Sequence, residues 1–226
     1  MIAPVLASAL LISGAVSSTA STAQIDSIED VEFRQYLSEA GVDEAGIDSV
    51  LTKLRQGEGL DSSSGAAPTH TNVTVEVEDG LTFEVTTDHF ADGSFNRSKM
   101  ELPQEVAPGA VSAMSITQCR NSTSGSYIVR TNCLIEWDNP YLGLNFRANY
   151  RYLPGPAGSG TINDVYNYNF WAVAGVATGG SLTIPVTTGN PARATATVTY
   201  ASVGGVTGGQ DAVSLHVDQS GARLFN

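Results

Sequence analysis

Between residues 72 and 102, apolar side chains recur at every second position and are interrupted by turn residues. Val73, Val75 and Val77 alternate with polar neighbours, Asp79-Gly80 follows, and Leu81, Phe83 and Val85 alternate again before Asp92-Gly93. A period of two marks half-buried strands, and Asp-Gly favours the positive backbone angles of tight hairpins. The stretch therefore predicts a three-stranded antiparallel meander. From residue 110 onward the same pattern recurs between Gly, Pro and Asn turns, near 111–118, 126–137, 142–153, 162–174, 181–188, 193–203 and 211–218. Strands at this spacing predict a mainly β chain whose back half is an antiparallel β-sandwich of immunoglobulin-like or jelly-roll type.

Upstream of the meander the period becomes helical. Ser27 with Asp30 resembles a capping box, and Ile28, Val31, Phe33 or Arg34, Tyr36 and Leu37 lie near one stripe. Gly41 ends that helix. A second helix begins near Asp43 and carries Ile47, Val50, Leu51 and Leu54, with Lys53 and Arg55 favourably placed in its last turn. The stripe is narrow, so the hairpin must lean on another element. Asp61-Ser-Ser-Ser-Gly-Ala-Ala-Pro68 has the composition of a flexible linker.

The segments 126–137 and 142–153 carry the strongest register signal. With Asp138-Asn139-Pro140-Tyr141 as a four-residue turn, Trp137 faces Leu142, Ile135 faces Leu144, Cys133 faces Phe146, Thr131 faces Ala148, Val129 faces Tyr150 and Tyr127 faces Tyr152. All of these fall on one face. The other face collects Glu136, Asn132, Arg130, Asn145, Arg147, Asn149 and Arg151, as expected of a sheet with one side in a core.

Composition sharpens this outline. The 226 residues include 23 acidic and 11 basic side chains, for a formal net charge of −12. Residues 24–106 hold 18 acids and 5 bases, whereas residues 107–226 hold 5 acids and 6 bases, all Arg. That step places a boundary near Pro103–Pro108. The expected organisation is a signal peptide over 1–23, an acidic helical hairpin over 24–60, a linker over 61–71, a β-meander over 72–106 and a disulfide-containing sandwich over 107–226. Such acidity argues against nucleic acid and against docking on an anionic membrane, because no basic patch exists to displace counterions.

Residues 3–16 form an uncharged apolar run too short for a membrane span, followed by Ser17-Ser-Thr-Ala-Ser-Thr-Ala23. Together they read as a secretory signal peptide cleaved after Ala23 or Ala20, and the polar tail favours this over a buried N-terminal helix. No Lys or Arg precedes the run, as if a basic stretch upstream were missing. The mature protein is expected outside the cell, free or associated with the surface, with no membrane span. In that compartment Cys119 and Cys133, the only cysteines, are expected to form one structural disulfide.

Candidate chemistry is sparse. His70, His89 and His216 lack ligand spacing, and Asp88, Asp92 and Gly93 match a calcium loop at only three positions, with Phe90 and Lys99 in the wrong places. No metal or other cofactor is expected. Gly-x-Ser-x-Gly is absent, and Gly204-Gly205 and Gly208-Gly209 read as turn glycines. Three Asn-x-Ser/Thr triplets, at Asn72, Asn96 and Asn121, matter only where a host glycosylates. Glu136 and Asp138, two apart on a strand, are the best acid pair for a secreted polysaccharide hydrolase. A third reading docks the helical hairpin on another protein through an exposed Tyr36 and Leu37 stripe. The leading reading is non-enzymatic: Arg130, Asn132, Asn145, Arg147, Asn149 and Arg151, joined by Asn167, Asn169 and Trp171 of the next strand, form a row of planar donors with an aromatic plate. Such a row suits a glycan or a carboxylate-bearing surface polymer.

The runs Phe33-Arg-Gln-Tyr-Leu-Ser-Glu-Ala-Gly-Val42 and Leu51-Thr-Lys-Leu-Arg-Gln-Gly-Glu-Gly-Leu60, Phe90-Ala-Asp-Gly-Ser94, and the pair Asn132-Cys133 taken with Phe146-Arg-Ala-Asn-Tyr150 resemble secreted, β-rich proteins common in actinobacteria. That group carries no established activity, so the resemblance implies export and a β-rich back half and nothing catalytic. It would also make the glycosylation triplets irrelevant.

Overall fold

A computed structural model of the chain describes residues 27–103, 118–173, 176–203 and 206–225. The expected signal peptide lies outside them. So do most of the expected strand near 111–118 and nearly all of the boundary at Pro103–Pro108.

Two helices open the described chain, α1 (Ser27–Glu39) and α2 (Glu44–Gln56). Gly41, at φ 83°, makes the turn between them, and Asp43 caps α2 by accepting from the Gly46 amide at 2.8 Å. Gly57, at φ 70°, closes α2 in the left-handed conformation. Ile47, Val50, Leu51 and Leu54 are all buried, as their spacing predicts. On α1, Phe33 and Leu37 are buried, but Val31 points outward and does not belong to the stripe.

The linker composition misleads over its first half. A short 3-10 turn covers Asp61–Ser63, the Asp61 amide donates to Asp92, the Ser62 amide donates to Ser94 Oγ, and Lys53 bridges Asp61 and Asp92.

Strands follow in the order β1 (His70–Glu78), β2 (Leu81–His89), β3 (Phe95–Glu101), β4 (Arg120–Ser124), β5 (Tyr127–Asp138), β6 (Leu142–Tyr152), β7 (Gly160–Ala172), β8 (Ala177–Val186), β9 (Thr188–Gly189), β10 (Ala192–Val203), β11 (Val206–Asp218) and β12 (Gly221–Phe225). They make two antiparallel sheets. One is eight-stranded in the order β1-β2-β3-β5-β6-β7-β9, with β4 beside β5; the other is four-stranded in the order β12-β11-β10-β8. The three-stranded meander is present, and β3 hydrogen-bonds to β5, so meander and back strands share one sheet. Inward side chains of the larger sheet (Ile135, Trp137, Leu144, Phe146) join those of the smaller one (Ala194, Ala196, Val198, Val213, Leu215, Val217) and Leu37, Leu51 and Leu54 of the helices in one core.

Across β5 and β6 the register differs from expectation by two residues. Trp137 pairs with Leu144, Ile135 with Phe146 and Cys133 with Ala148. The chain reverses at Pro140-Tyr141, where the Asn139 amide donates to the Leu142 carbonyl and Asn139 Oδ1 accepts from the Tyr141 and Leu142 amides. An even shift leaves the faces unchanged, so Phe146 and Tyr150 stay inside. Beyond Cys133 the agreement ends at a bulge. Asn132 takes φ 62°, and Arg130 pairs with Tyr150, Val129 with Arg151 and Ile128 with Tyr152. One extra residue there inverts the sidedness of the first part of β5. Cys119 and Cys133 form the expected disulfide.

Candidate functional site

On the face of the larger sheet turned away from the smaller one, β6 presents Gly143, Asn145, Arg147, Asn149 and Arg151. Across from them β7 presents Trp171, Asn169, Tyr166, Asp164 and Thr161. This strip of facing pairs spans eight residue steps of β6, about 27 Å at the rise of a strand. Of the residues singled out in the sequence, Asn145, Arg147, Asn149, Arg151, Asn169 and Trp171 come together here. Three do not join the row. Arg130 sits on the opposite face with Tyr150, Asn132 occupies the β5 bulge, and Asn167, at φ 53°, occupies a bulge in β7 with no register partner.

The two ends of the strip differ in chemistry. Around Arg147 the polar groups satisfy one another. Arg147 Nη1 donates to the Asn132 carbonyl at 2.6 Å and meets Glu101 at 3.4 Å, while the Asn132 amide donates to Asn149 Oδ1 at 2.7 Å and Tyr166 donates to Asn132 Oδ1 at 2.9 Å. Glu101 is the buried anchor of this network, accepting from the amides of Cys119 at 2.6 Å and Leu134 at 2.9 Å. It fills the gap along β5 between the places where β3 and β4 pair, taking an amide proton that no strand is there to accept. Arg151 is stacked 4.9 Å above the Tyr127 ring.

The other end is open. Trp171 is 39% exposed, and it lies flat over Gly143: a Cβ built on that glycine would stand 2.2 Å from the indole ring. Only glycine lets the ring seat there. Asn169 is exposed and Asn145 half-buried beside it. Glu136 pairs with Asn145 from β5. Burial raises the Glu136 carboxyl above its ordinary range, as do the charges of Glu78 and Asp138, against the lowering effect of Lys99 and the Asn145 hydrogen bond. This end thus combines a part-exposed indole plate, the exposed Asn169 amide, and the half-buried Asn145 amide and Glu136 carboxyl.

The proposed acid pair fares differently. Glu136 and Asp138 do share a face, but Asp138 is gripped by Arg97 through Nε at 3.0 Å and Nη2 at 2.7 Å, and it accepts from the Tyr36 hydroxyl at 2.5 Å. Held this way, Asp138 is engaged as an acceptor for Arg97 and Tyr36 rather than standing free across a cleft from Glu136. The same contacts use up the helical stripe. Tyr36 packs on Phe95 and donates to Asp138, and Leu37 is buried, so the expected docking stripe faces this protein's own sheet.

One grouping has no counterpart in the sequence reading. His70 and His89 stack with ring centroids 4.4 Å apart, beside a cavity of about 410 Å³ lined by the α1–α2 turn and the β2–β3 connection. Burial lowers the His89 pKa, and the neighbouring His70 lowers it further. The signal was available: the two positions lie symmetrically about the Asp79-Gly80 turn, so a two-residue hairpin makes them partners. Among the described residues no group of three or more His, Cys, Asp and Glu is placed to hold a metal ion, and no helix is long and apolar enough to cross a membrane. No protein-family model matches the chain, and no curated protein or solved structure matches it significantly.

Proposed function

We propose that this is an exported, non-catalytic protein that binds a glycan or cell-surface polymer along the β6–β7 strip, with Trp171 as the stacking platform. The observation that carries the reading is the pairing of a half-exposed indole with the one residue type that leaves room for it. Keeping an indole flat on a sheet and open to solvent leaves 39% of the residue unburied, a surface that gains nothing for folding and suits the apolar face of a sugar ring. Asn145 and Asn169 supply the planar donors and acceptors beside it. Export is supported by the apolar run over 3–16, the small residues after it, and the disulfide. The architecture we read is a two-layer sandwich, supported by the inward rows of both sheets meeting in one core. Its strand orders run mostly in chain sequence, which favours a meander over the Greek-key orders of immunoglobulin-like and jelly-roll sheets.

A glycan array together with a pull-down on isolated cell wall tests the reading, repeated with Trp171→Ala and Asn169→Ala. Binding by the unaltered protein that falls at least tenfold in Trp171→Ala is the expected result. Absence of binding to any glycan or wall fraction would end the proposal.

A further inference from the structure

The larger sheet begins with an unusual edge. β1 pairs with β2 through nine consecutive residues without a bulge, and among the described residues β1 is terminal in the sheet order. Natural edge strands are commonly blunted by proline, charge, a bulge or shortness; β1 has no proline, lysine or bulge, and its two charged carboxylates, Glu76 and Glu78, lie on the face opposite the valines. Val73, Val75 and Val77 are 59%, 65% and 72% exposed, a ladder of three apolar side chains on one face of that strand.

The direction of the free backbone groups follows from the turn. Asp79 at φ 50° and Gly80 at φ 78° make a two-residue loop of the type I′ kind, closed by the pair Glu78 and Leu81. Such a loop is bridged by a hydrogen bond from the residue after it to the carbonyl before it, so Glu78 faces β2. Because the pattern alternates along an antiparallel pair, the even-numbered residues of β1 bond to β2. The amides and carbonyls of Thr71, Val73, Val75 and Val77 point out to the open edge.

We infer that β1 is a homodimer interface, on which a second copy of this chain adds its own β1 antiparallel. Pairing the whole strand with itself puts the two-fold axis at Thr74 and sets Val73 against Val75 and Thr71 against Val77, all with outward backbone groups. On the opposite face Glu78 meets His70 and Glu76 meets Asn72, so no carboxylate faces a carboxylate. The charge pattern is compatible with a self-complementary partner and disfavours a peptide that sets acids against Glu76 and Glu78. A two-fold perpendicular to the sheet keeps both Trp171 strips on the same side of one continuous sheet, an arrangement suited to polymeric ligands. The dimer stands on β1 alone and does not depend on the binding role of Trp171.

Sedimentation velocity of the full chain across a concentration series tests it together with Thr74→Cys under oxidising conditions. The unaltered protein is expected to sediment at twice the monomer mass. Thr74→Cys is expected to cross-link to a dimer on a non-reducing gel, because residue 74 meets itself at a non-hydrogen-bonded position where Cα atoms lie about 4.5 Å apart. Val73→Cys, which faces Val75 of the second copy, should stay uncross-linked. Val75→Pro removes only an outward amide and Val75→Lys places a charge on the ladder, so either should weaken association at least tenfold while the melting temperature of the monomer is kept. A single monomeric species at all concentrations with no Thr74→Cys cross-link overturns the inference. So does a dimer that persists in Val75→Lys, which would place the contact elsewhere.

Discussion

Gly143 and Glu101 show how much one side chain decides in this protein. Gly143 has no side chain, and the indole of Trp171 occupies that space. Replacing it with alanine displaces the ring and is expected to weaken ligand binding about as much as Trp171→Ala. Glu101 does the opposite work, holding two backbone amides and a guanidinium where two strands fail to meet. Glu101→Ala leaves both amides without their acceptor and Arg147 without its carboxylate in a largely buried site, and the loss is expected at about 3–5 kcal/mol by thermal or chemical denaturation. Asp92 contributes to the acid dependence. Burial alone would raise its pKa, but bonds from Ser94, the Asp61 amide and Lys53 outweigh that and hold it below its ordinary value of 3.8. A carboxyl held low contributes stability at pH above that value and loses it as the pH falls through the lower folded value. Melting temperature should therefore drop on acidification below about pH 4, and Asp92→Asn should be less stable at neutral pH and flatter in that range.

At the scale of elements, sequence periodicity was a good guide wherever one face meets the core. The two helices, the meander and the inward rows of β5 and β6 follow from spacing alone, because burying one side imposes a strict period. The departures have local causes. The β5–β6 register moved by two because Asn139 bonds the Tyr141 and Leu142 amides and centres the reversal one residue later than the Asp138–Tyr141 reading. Arg130 changed face because one residue is inserted at Asn132, and hydrophobic pattern does not announce a bulge. β4, β9 and β12 carry weak alternation at the rim of the sheets and left no clear trace. The disulfide belongs to this scale: it ties Cys119, just before β4, to the middle of β5, across a separation of 14 residues. Opening it in a Cys119→Ser, Cys133→Ser variant should cost about 3 kcal/mol on the loop-entropy argument, read as a lower denaturation midpoint that reductant no longer shifts.

Over the whole molecule, charge composition proved a poor guide to boundaries. The acidic front and the nearly neutral back look like separate units, yet β3 of one and β5 of the other are neighbours in a single sheet. Two arginines meet acids across that compositional step, Arg97 with Asp138 and Arg147 with Glu101. Of the three arginines in the row legible in the sequence, Arg147 is spent on this internal joining, Arg151 stacks on Tyr127 and Arg130 lies on the other face; the sequence could not reveal the joining because its partners lie 41 and 46 residues apart. The open surface is therefore narrower than the row of nine residues it was read from, and it centres on Trp171. Of the two tryptophans, Trp137 is buried in the core, so Trp171 alone reports on the surface. Titration of the glycan or wall polymer captured by the protein, followed by tryptophan fluorescence, is the most direct measurement. The account predicts a saturable change in emission that disappears in Trp171→Phe while the buried Trp137 signal stays constant. Saturable binding with emission unchanged, or a response that survives Trp171→Phe, would contradict it.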